Sequence, residues 1–277
     1  MNSLVLLTLY CLAILLASMA GGWLPHMLKP THIRLQTYLS FASGTMLGAA
    51  ICHMMPEASL KASGTWYYWM MAGVMALIFL ERFFAFHHHE VPDDTSEPHA
   101  HEHGDHEEHG HAHAHNHGNG PIHSPLGWGT ALLGLSVHTV TGGFALASAV
   151  AADEGKTGLV SLSVFLATLL HKPADSLTIA SLMMSEGTRS RSAHLINFIF
   201  SLMIPVGVGI YFLFSKFGSG SPDAYAGGAL AFSAGTFLSI ALGDLLPELQ
   251  FHRHDRIQLS AALLAGVGLM VLSALLE

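Results

Sequence analysis

The stretch His171-Lys172-Pro173-Ala174-Asp175 lies inside the apolar run Leu159–Met184, and it decides how the rest of the chain is interpreted. As a helix, this run is long enough to cross the roughly 30 Å of hydrocarbon in a bilayer. Because His171 and Asp175 are four residues apart, their side chains share one face of that helix. Ionisable groups at membrane depth are costly and mark ion pathways. The stretch therefore predicts a cation site inside a membrane.

The composition of the chain also indicates a membrane protein. Of its 277 residues 51% are hydrophobic and only 11% are charged, whereas soluble domains have about 25% charged residues. The formal charge is −8 and no dense basic patch could neutralise phosphates, so we expect no nucleic-acid partner. Cys11 and Cys52 lie in apolar runs and form neither a disulfide nor a zinc pattern. The expected partners are lipid and small ions.

Eight apolar runs are long enough to span a bilayer, which predicts an all-α integral membrane protein. Numbered span 1 to span 8, they are Ser3–Leu24, Leu35–Met55, Trp66–Phe84, Leu126–Ala151, Leu159–Met184, His194–Phe214, Ala226–Leu246 and Ile257–Leu276. We expect spans 1–3 within residues 1–86, a His-rich loop at 87–123, and spans 4–8 within 124–277. The first run lacks flanking Lys or Arg, so we interpret it as a retained span rather than a signal peptide.

Positive charges in the loops predict the orientation, since cytoplasmic loops carry more Lys and Arg. Seven basic residues fall in odd-numbered loops and three in even-numbered loops: Lys29, Arg34, Arg82, Arg189, Arg191, Arg253 and Arg256 against Lys61, Lys156 and Lys216. An even number of spans places both termini on one side. We therefore expect extracytoplasmic termini and a cytoplasmic His-rich loop, in a plasma or inner membrane.

The loop at 87–123 contains 13 of the 21 histidines and almost no large apolar residue. Such a segment cannot bury enough surface to offset its ordering entropy, so the composition predicts disorder. Imidazoles suit Zn, Ni and Cu, which favours a regulatory metal buffer or sensor, although a solvated linker is the alternative. The histidines assigned to this role are His99, His101, His103, His106, His109, His111, His113, His115 and His117.

Other polar groups lie within spans 2 and 7. His53 is seven residues after Met46, which is about two turns of an α-helix. Both side chains would therefore lie on nearly the same face, where they could border one metal path. Core packing is the alternative for Met46, and a structural role is the alternative for His53. Asp244 and Glu248 share a face of span 7 near its cytoplasmic end. This pair is either a metal exit or a solvated pair.

Span 4 contains one titratable group, His138, flanked by Thr139. A histidine satisfied by a neighbouring helix is the alternative to a metal ligand there. In span 5, Pro173 should free the carbonyl of Leu169 from its helical hydrogen bond. Lys172 either forms a structural pair with Asp175 or limits the number of cations that Asp175 can help to hold.

These patterns resemble the ZIP (Zrt/Irt-like) family of metal permeases. The resemblance rests on His53-Met54-Met55-Pro56-Glu57-Ala58, on Ala234-Gly235-Thr236-Phe237 with Asp244-Leu245-Leu246-Pro247-Glu248, and on the histidines that open the motifs of spans 4 and 5. It implies an eight-helix bundle that takes up Zn²⁺ or another divalent metal, held between spans 2, 4 and 5. It also implies that spans 1, 4, 5 and 6 move against the others, often within a homodimer. Zinc is then a transported substrate, with no cofactor and no enzymatic activity.

The chain departs from the pattern of common family members in two places. Where these have His-Asn-x-Pro-Glu-Gly, span 4 reads His138-Thr139-Val140-Thr141-Gly142-Gly143, so Gly142 takes the place of a bridging glutamate. Lys172 stands where an acidic residue often helps to bind a second metal. We therefore expect a mononuclear site of His138, His171 and Asp175, completed by Met46, water or a carbonyl and tuned by Thr139, Lys172 and Gly142. Two imidazoles and a carboxylate suit four-coordinate Zn²⁺ with one open position.

Three functions are consistent with the sequence. The first is metal uptake by alternating access, driven by gradients because no nucleotide-binding GxxxxGK[ST] motif is present. The second is export of Ni, Co or Zn, and the third is a non-transporting metal sensor with the same fold. An intramembrane protease is not supported, since the sequence has no HExxH pair and no Ser–Lys dyad in a supporting context.

Overall fold

The structure is a computed structural model that describes residues 3–27, 32–84, 128–153, 158–217, 221–251 and 256–275. Within these ranges the chain is helical and contains no strand, which confirms the predicted all-α fold. The helices are α1 Ser3–Met27, α2 His32–Ala49, α3 Met55–Lys61, α4 Trp66–Phe84, α5 Trp128–Ala152, α6 Leu159–Ser185, α7 Ser190–Ser201, α8 Met203–Phe217, α9 Pro222–Phe251 and α10 Arg256–Ala274. The predicted His-rich loop, with His99 to His117, lies outside the described residues.

Two predicted spans are interrupted helices. Span 2 comprises α2, a π-helical segment Ala50–Met54, and α3. Span 6 comprises α7 and α8, which separate at Leu202. Pro205 explains this break, because it has no N–H to donate to the carbonyl of Ser201.

Five stretches of the described chain are long and apolar enough to cross a membrane: Ser3–Trp23, Ala131–Ala152, Ser190–Phe217, Pro222–Gly243 and Arg256–Ala274. Helix α6 is not among them because it carries many polar side chains, including buried Lys172 and Asp175. The count of eight spans stays a prediction, whereas a multi-helix membrane protein is supported.

The helices pack mainly in pairs, α2 with α10, α4 with α9, α5 with α8, and α1 with α6. Glycines permit this close packing at all four interfaces, two of which serve as examples. A Cβ at Gly44 would lie 2.2 Å from the carbonyl oxygen of Leu263 on α10. A Cβ at Gly143 would lie 2.1 Å from the carbonyl oxygen of Ile204 on α8. The backbones of these pairs therefore touch directly.

An apolar cluster fills the centre of the bundle next to the candidate metal site. Its larger members include Met54, Leu146, Val164 and Leu230, each fully buried. Between them lie small residues that are also fully buried: Ala49, Ala50, Ala145, Ala149, Ala167, Ala231 and Ala234. Small side chains thus let the helix backbones approach one another closely between the larger ones.

Candidate metal site

Three of the predicted ligands come together inside the bundle. His138 on α5 and His171 and Asp175 on α6 each offer one ligand atom, and these atoms all lie within 4.8 Å of one another. Nε2 of His171 lies 2.9 Å from Oδ1 of Asp175, and Nε2 of His138 lies 3.8 Å from Oδ2. Donor atoms around a tetrahedral Zn²⁺ lie about 3.3 Å apart. The cluster therefore fits one such ion after small side-chain adjustments.

The two helices bring these residues to the same depth because α5 and α6 are consecutive and joined by a short connection. Oδ2 of Asp153, just after α5, accepts a 2.6 Å hydrogen bond from the backbone N–H of Ser161 in the first turn of α6. His138 lies 14 residues before the end of α5, and His171 lies 12 residues after the start of α6. At 1.5 Å per residue these positions are about 21 and 18 Å from the connection. The imidazole rings consequently meet edge to face, with centroids 5.5 Å apart.

The side chain of Lys172 is held beside the cluster by three contacts. Its side chain is 2% exposed, and Nζ lies 3.2 Å from Oδ2 of Asp175. Nζ also donates to Oγ1 of Thr139 and lies 3.7 Å from the centroid of the Phe200 ring. The Thr139 hydroxyl donates its own hydrogen to the carbonyl of Leu135, so only lone pairs of its oxygen face Lys172. A carboxylate, a hydroxyl oxygen and an aromatic face all favour an ammonium group.

A cavity of about 20 Å³ adjoins the three ligands, close to the space that one water molecule requires. Its walls include Met46, Gly142, Thr168, Ile204 and Phe237 in addition to the residues described above. Asp175 is the one acidic residue among the described residues that line this central cavity. Gly142 lines the cavity and has no side chain that could fill it. A Cβ at Gly142 would make only ordinary contacts, 3.7 Å to Ile204 and 3.9 Å to Thr168.

His53 lies apart from the cluster, so the expectation that it shares a face with Met46 requires correction. Met46 lines the central cavity, whereas Nε2 of His53 lies 3.1 Å from the carbonyl of Met270 and 2.9 Å from the hydroxyl of Ser273, both on α10. The π-helical segment Ala50–Met54 is the physical reason. One additional residue in a turn rotates every later side chain by about 100° relative to a continuous α-helix.

Two aromatic residues of the site were missed by reasoning from the sequence. Phe200 contacts Lys172, and the hydroxyl of Tyr38 on α2 donates to the carbonyl of Leu170. This contact is next to the predicted free carbonyl of Leu169, and it links α2 to the turn that precedes His171. Phe and Tyr are common in membrane spans, so nothing in the sequence distinguished these two.

The predicted exit pair lies on α9, the longest helix of the described chain. Asp244 and Glu248 belong to α9, but their side chains lie outside the described part of the chain. Their role as a metal exit stays a prediction.

A bundle of apolar helices enclosing two imidazoles and a carboxylate defines a membrane protein with an internal group of side chains that could hold a metal ion. The chain belongs to the ZIP zinc transporter family, because the family model described as ZIP Zinc transporter matches residues 4–274. The family assignment from the motifs is thereby confirmed. Members of this family are transporters and not enzymes.

Individual relatives match smaller parts of the chain. It is 34% identical over 124 residues to Zinc transporter ZIP9 of Micropogonias undulatus, covering 43% of this chain and 38% of that protein. It is 34% identical over 121 residues to Zinc transporter ZIP9 of Macaca fascicularis, covering 42% and 49%. Zinc transporter foi of Drosophila melanogaster is 30% identical over 167 residues, covering 56% and 22%. The matched region thus spans less than half the length of each of these relatives.

Proposed function

We propose that this protein transports a divalent metal, zinc, into the cytoplasm by alternating access through a mononuclear intramembrane site. The observation that carries the proposal is the convergence of His138, His171 and Asp175 at one depth of two long helices. Two nitrogens and one oxygen form a typical set for Zn²⁺ that leaves a fourth position open. An open position lets the ion exchange ligands, which transport requires and a purely structural zinc site avoids.

The residues around the cluster have defined roles in this proposal. Asp175 accepts the hydrogen bond of His171 in the metal-free state and binds the ion once the Nε2 of His171 carries no hydrogen. Lys172 occupies the other side of Asp175, which limits the site to one metal. Thr139 holds Lys172 in place, and Met46 borders the open position. His53 joins α10 to the helix that carries Met46, so we assign it a supporting role rather than direct coordination in this conformation.

The proposal extends to the organisation of the whole chain in the membrane. Both termini face away from the cytoplasm, and residues 87–123 form a cytoplasmic metal-buffering loop between spans 1–3 and spans 4–8. Asp244 and Glu248 receive the ion at the cytoplasmic end of span 7. The protein assembles as a homodimer within the bilayer. These statements rest on the charge distribution of the loops and on the family resemblance.

The sensor alternative retains one specific observation in its favour. Gly142 supplies no carboxylate, so the site has fewer negative charges than the common family pattern. A site of this kind could report metal without moving it. The test must therefore measure metal flux across the membrane as well as metal binding to the protein.

The test is ⁶⁵Zn²⁺ flux into proteoliposomes that contain the intact protein, compared with His171→Ala and Asp175→Ala at equal protein amounts. His194→Ala and Asp223→Ala are matched controls, since they remove the same side chains from positions outside the cluster. Saturable uptake that only the first two variants abolish supports the proposal. Background flux in every sample together with metal binding favours the sensor. Flux that runs only outward from the cytoplasmic face favours the exporter.

A further inference from the structure

The helices of the bundle form two groups that interlock internally but not with each other. The first group consists of α2, α3, α4, α9 and α10, and the second of α1, α5, α6, α7 and α8. A Cβ at Gly73 on α4 would lie 2.0 Å from the carbonyl oxygen of Phe232 on α9, within the first group. A Cβ at Gly21 on α1 would lie 2.4 Å from the carbonyl oxygen of Pro173 on α6, within the second. None of the glycines in the described ranges makes such a close contact between the groups.

The boundary between the two groups runs mainly along α2 with α6 and along α5 with α9. Both groups contribute fully buried alanines to the apolar cluster, Ala49 and Ala231 from the first, Ala145 and Ala167 from the second. Methyl groups form only shallow ridges, so they oppose sliding less than interdigitated large side chains do. Polar links across the boundary therefore matter for how firmly the groups are held together.

Two tyrosine hydroxyls cross this division, and each donates to a backbone carbonyl of the other group. Tyr38 on α2 donates to the carbonyl of Leu170 on α6. Tyr225 on α9 donates to the carbonyl of Tyr211 on α8 at 3.3 Å. Both partners of such a bond are neutral, so the bond breaks at modest cost and leaves no buried charge behind. Each link can thus open and close repeatedly.

The two links lie near opposite ends of the bundle. Tyr38 is in the second turn of α2, at the beginning of span 2. Tyr225 is in the first turn of α9, which begins beside the far end of span 2, because Nζ of Lys61 on α3 lies 2.6 Å from Oδ1 of Asp223. One hydroxyl at each end resists sliding of one group along the other better than two at the same end.

We propose that Tyr38 and Tyr225 are latches that hold the two helix groups in the present arrangement and release their carbonyls when one group moves along the other. Tyr38 is also a positioning residue for His171. Its partner Leu170 directly precedes His171, in a turn from which Pro173 withholds one helical hydrogen bond. The inference deepens the proposed function, since release of the latches is a step of alternating access, but its test requires no metal.

The test measures the distance between the groups by pulsed electron paramagnetic resonance on the purified full chain without metal. Spin labels are attached at Leu60→Cys on α3 and Phe217→Cys on α8, positions that are 73% and 80% exposed and belong to different groups. The native thiols are first removed with Cys11→Ala and Cys52→Ala. The distance distribution then reports the populations of the arrangements of the two groups.

Tyr38→Phe removes the hydroxyl and keeps the ring, so the fold should be retained. We expect it to increase the ratio of other arrangements to the present one about fivefold, which corresponds to about 1 kcal/mol for one hydrogen bond. Tyr225→Phe should act in the same direction but less, since its bond is longer. Ser18→Ala is the matched control: it removes a hydroxyl that lies 2.7 Å from the hydroxyl of Ser176 on α6, within one group. It should leave the distances unchanged.

The outcomes separate this inference from the proposed function. An unchanged distribution in the double variant Tyr38→Phe with Tyr225→Phe would overturn the latches, and so would an equal change in Ser18→Ala. The expected change together with an absence of ⁶⁵Zn²⁺ flux in every variant would support the latches and overturn the transport proposal. Flux in the unmodified protein with an unchanged distribution in the double variant would leave the transport proposal standing without the latches.

Discussion

Replacing Asp175 with asparagine tests the structural role of this residue together with its proposed role as a metal ligand. The substitution leaves the Lys172 ammonium buried without a carboxylate, although Thr139 and Phe200 still contact it. Removing one partner of a buried ion pair destabilises a protein by about 3–5 kcal/mol. At about 2–3 °C per kcal/mol for a chain of this size, the unfolding temperature should fall by roughly 6–15 °C.

The double variant Lys172→Met with Asp175→Asn provides the decisive comparison. It removes both charges, so most of the lost stability should return, whereas metal binding should not. Thermal unfolding in detergent, with and without Zn²⁺, measures both effects. At a free concentration 100 times its dissociation constant, Zn²⁺ should stabilise the unmodified protein by about 2.7 kcal/mol and neither variant.

Two results would refute this reasoning. Equal stability of Asp175→Asn and the unmodified protein would show that Lys172 is not a buried cation that depends on Asp175. Stabilisation of the double variant by Zn²⁺ would show that Asp175 is not a ligand. The second result would favour the interpretation of Lys172 and Asp175 as a structural ion pair that does not bind metal.

Three further predictions follow from the same contacts. Gly142→Ala should change the unfolding temperature little. Gly143→Ala, whose Cβ would lie 2.1 Å from a carbonyl oxygen of α8, should lower the free energy of unfolding by about 1–3 kcal/mol, the usual penalty for overpacking. Equal effects of the two variants would contradict the packing at Gly143. His53→Ala removes the hydrogen bonds to α10 and should lower the free energy of unfolding by about 1–3 kcal/mol. The visible absorption spectrum of Co²⁺ bound in place of Zn²⁺ should stay unchanged, and an altered spectrum would make His53 a ligand. Zn²⁺ affinity should fall as pH falls, because a protonated imidazole has no lone pair for the metal. Calorimetric titration at several pH values measures this affinity, and a constant value would argue against two histidine ligands.

The sequence was sufficient to predict the helical fold and the central cluster for clear physical reasons. Apolar runs identify membrane helices because the bilayer requires about 20 such residues. His171 and Asp175 were placed on one face correctly because α6 stays α-helical between them despite Pro173. The structure adds His138 to this pair at the predicted depth. Metal binding by the three residues remains a prediction.

Other parts of the site could not be predicted, since they depend on local backbone changes or tertiary contacts. The π-helical segment has no periodic signature, so His53 was assigned to the wrong face. The break at Leu202 separates α7 from α8 inside one apolar run. Phe200 and Tyr38 acquire their roles only from the helices that pack against them. None of these features could be predicted from the sequence pattern alone.

The small residues of the apolar cluster limit how this protein can open. Ala145, Ala149, Ala167 and Ala231 are fully buried in the apolar cluster, which also contains cavity residues such as Met46 and Ile204, and an alanine has no rotamer to change. No swinging side chain can therefore act as a gate at these positions. At these alanine positions, space between the helices can form only if the helix backbones move. Under the proposed function, opening at these positions would therefore require movement of a helix backbone.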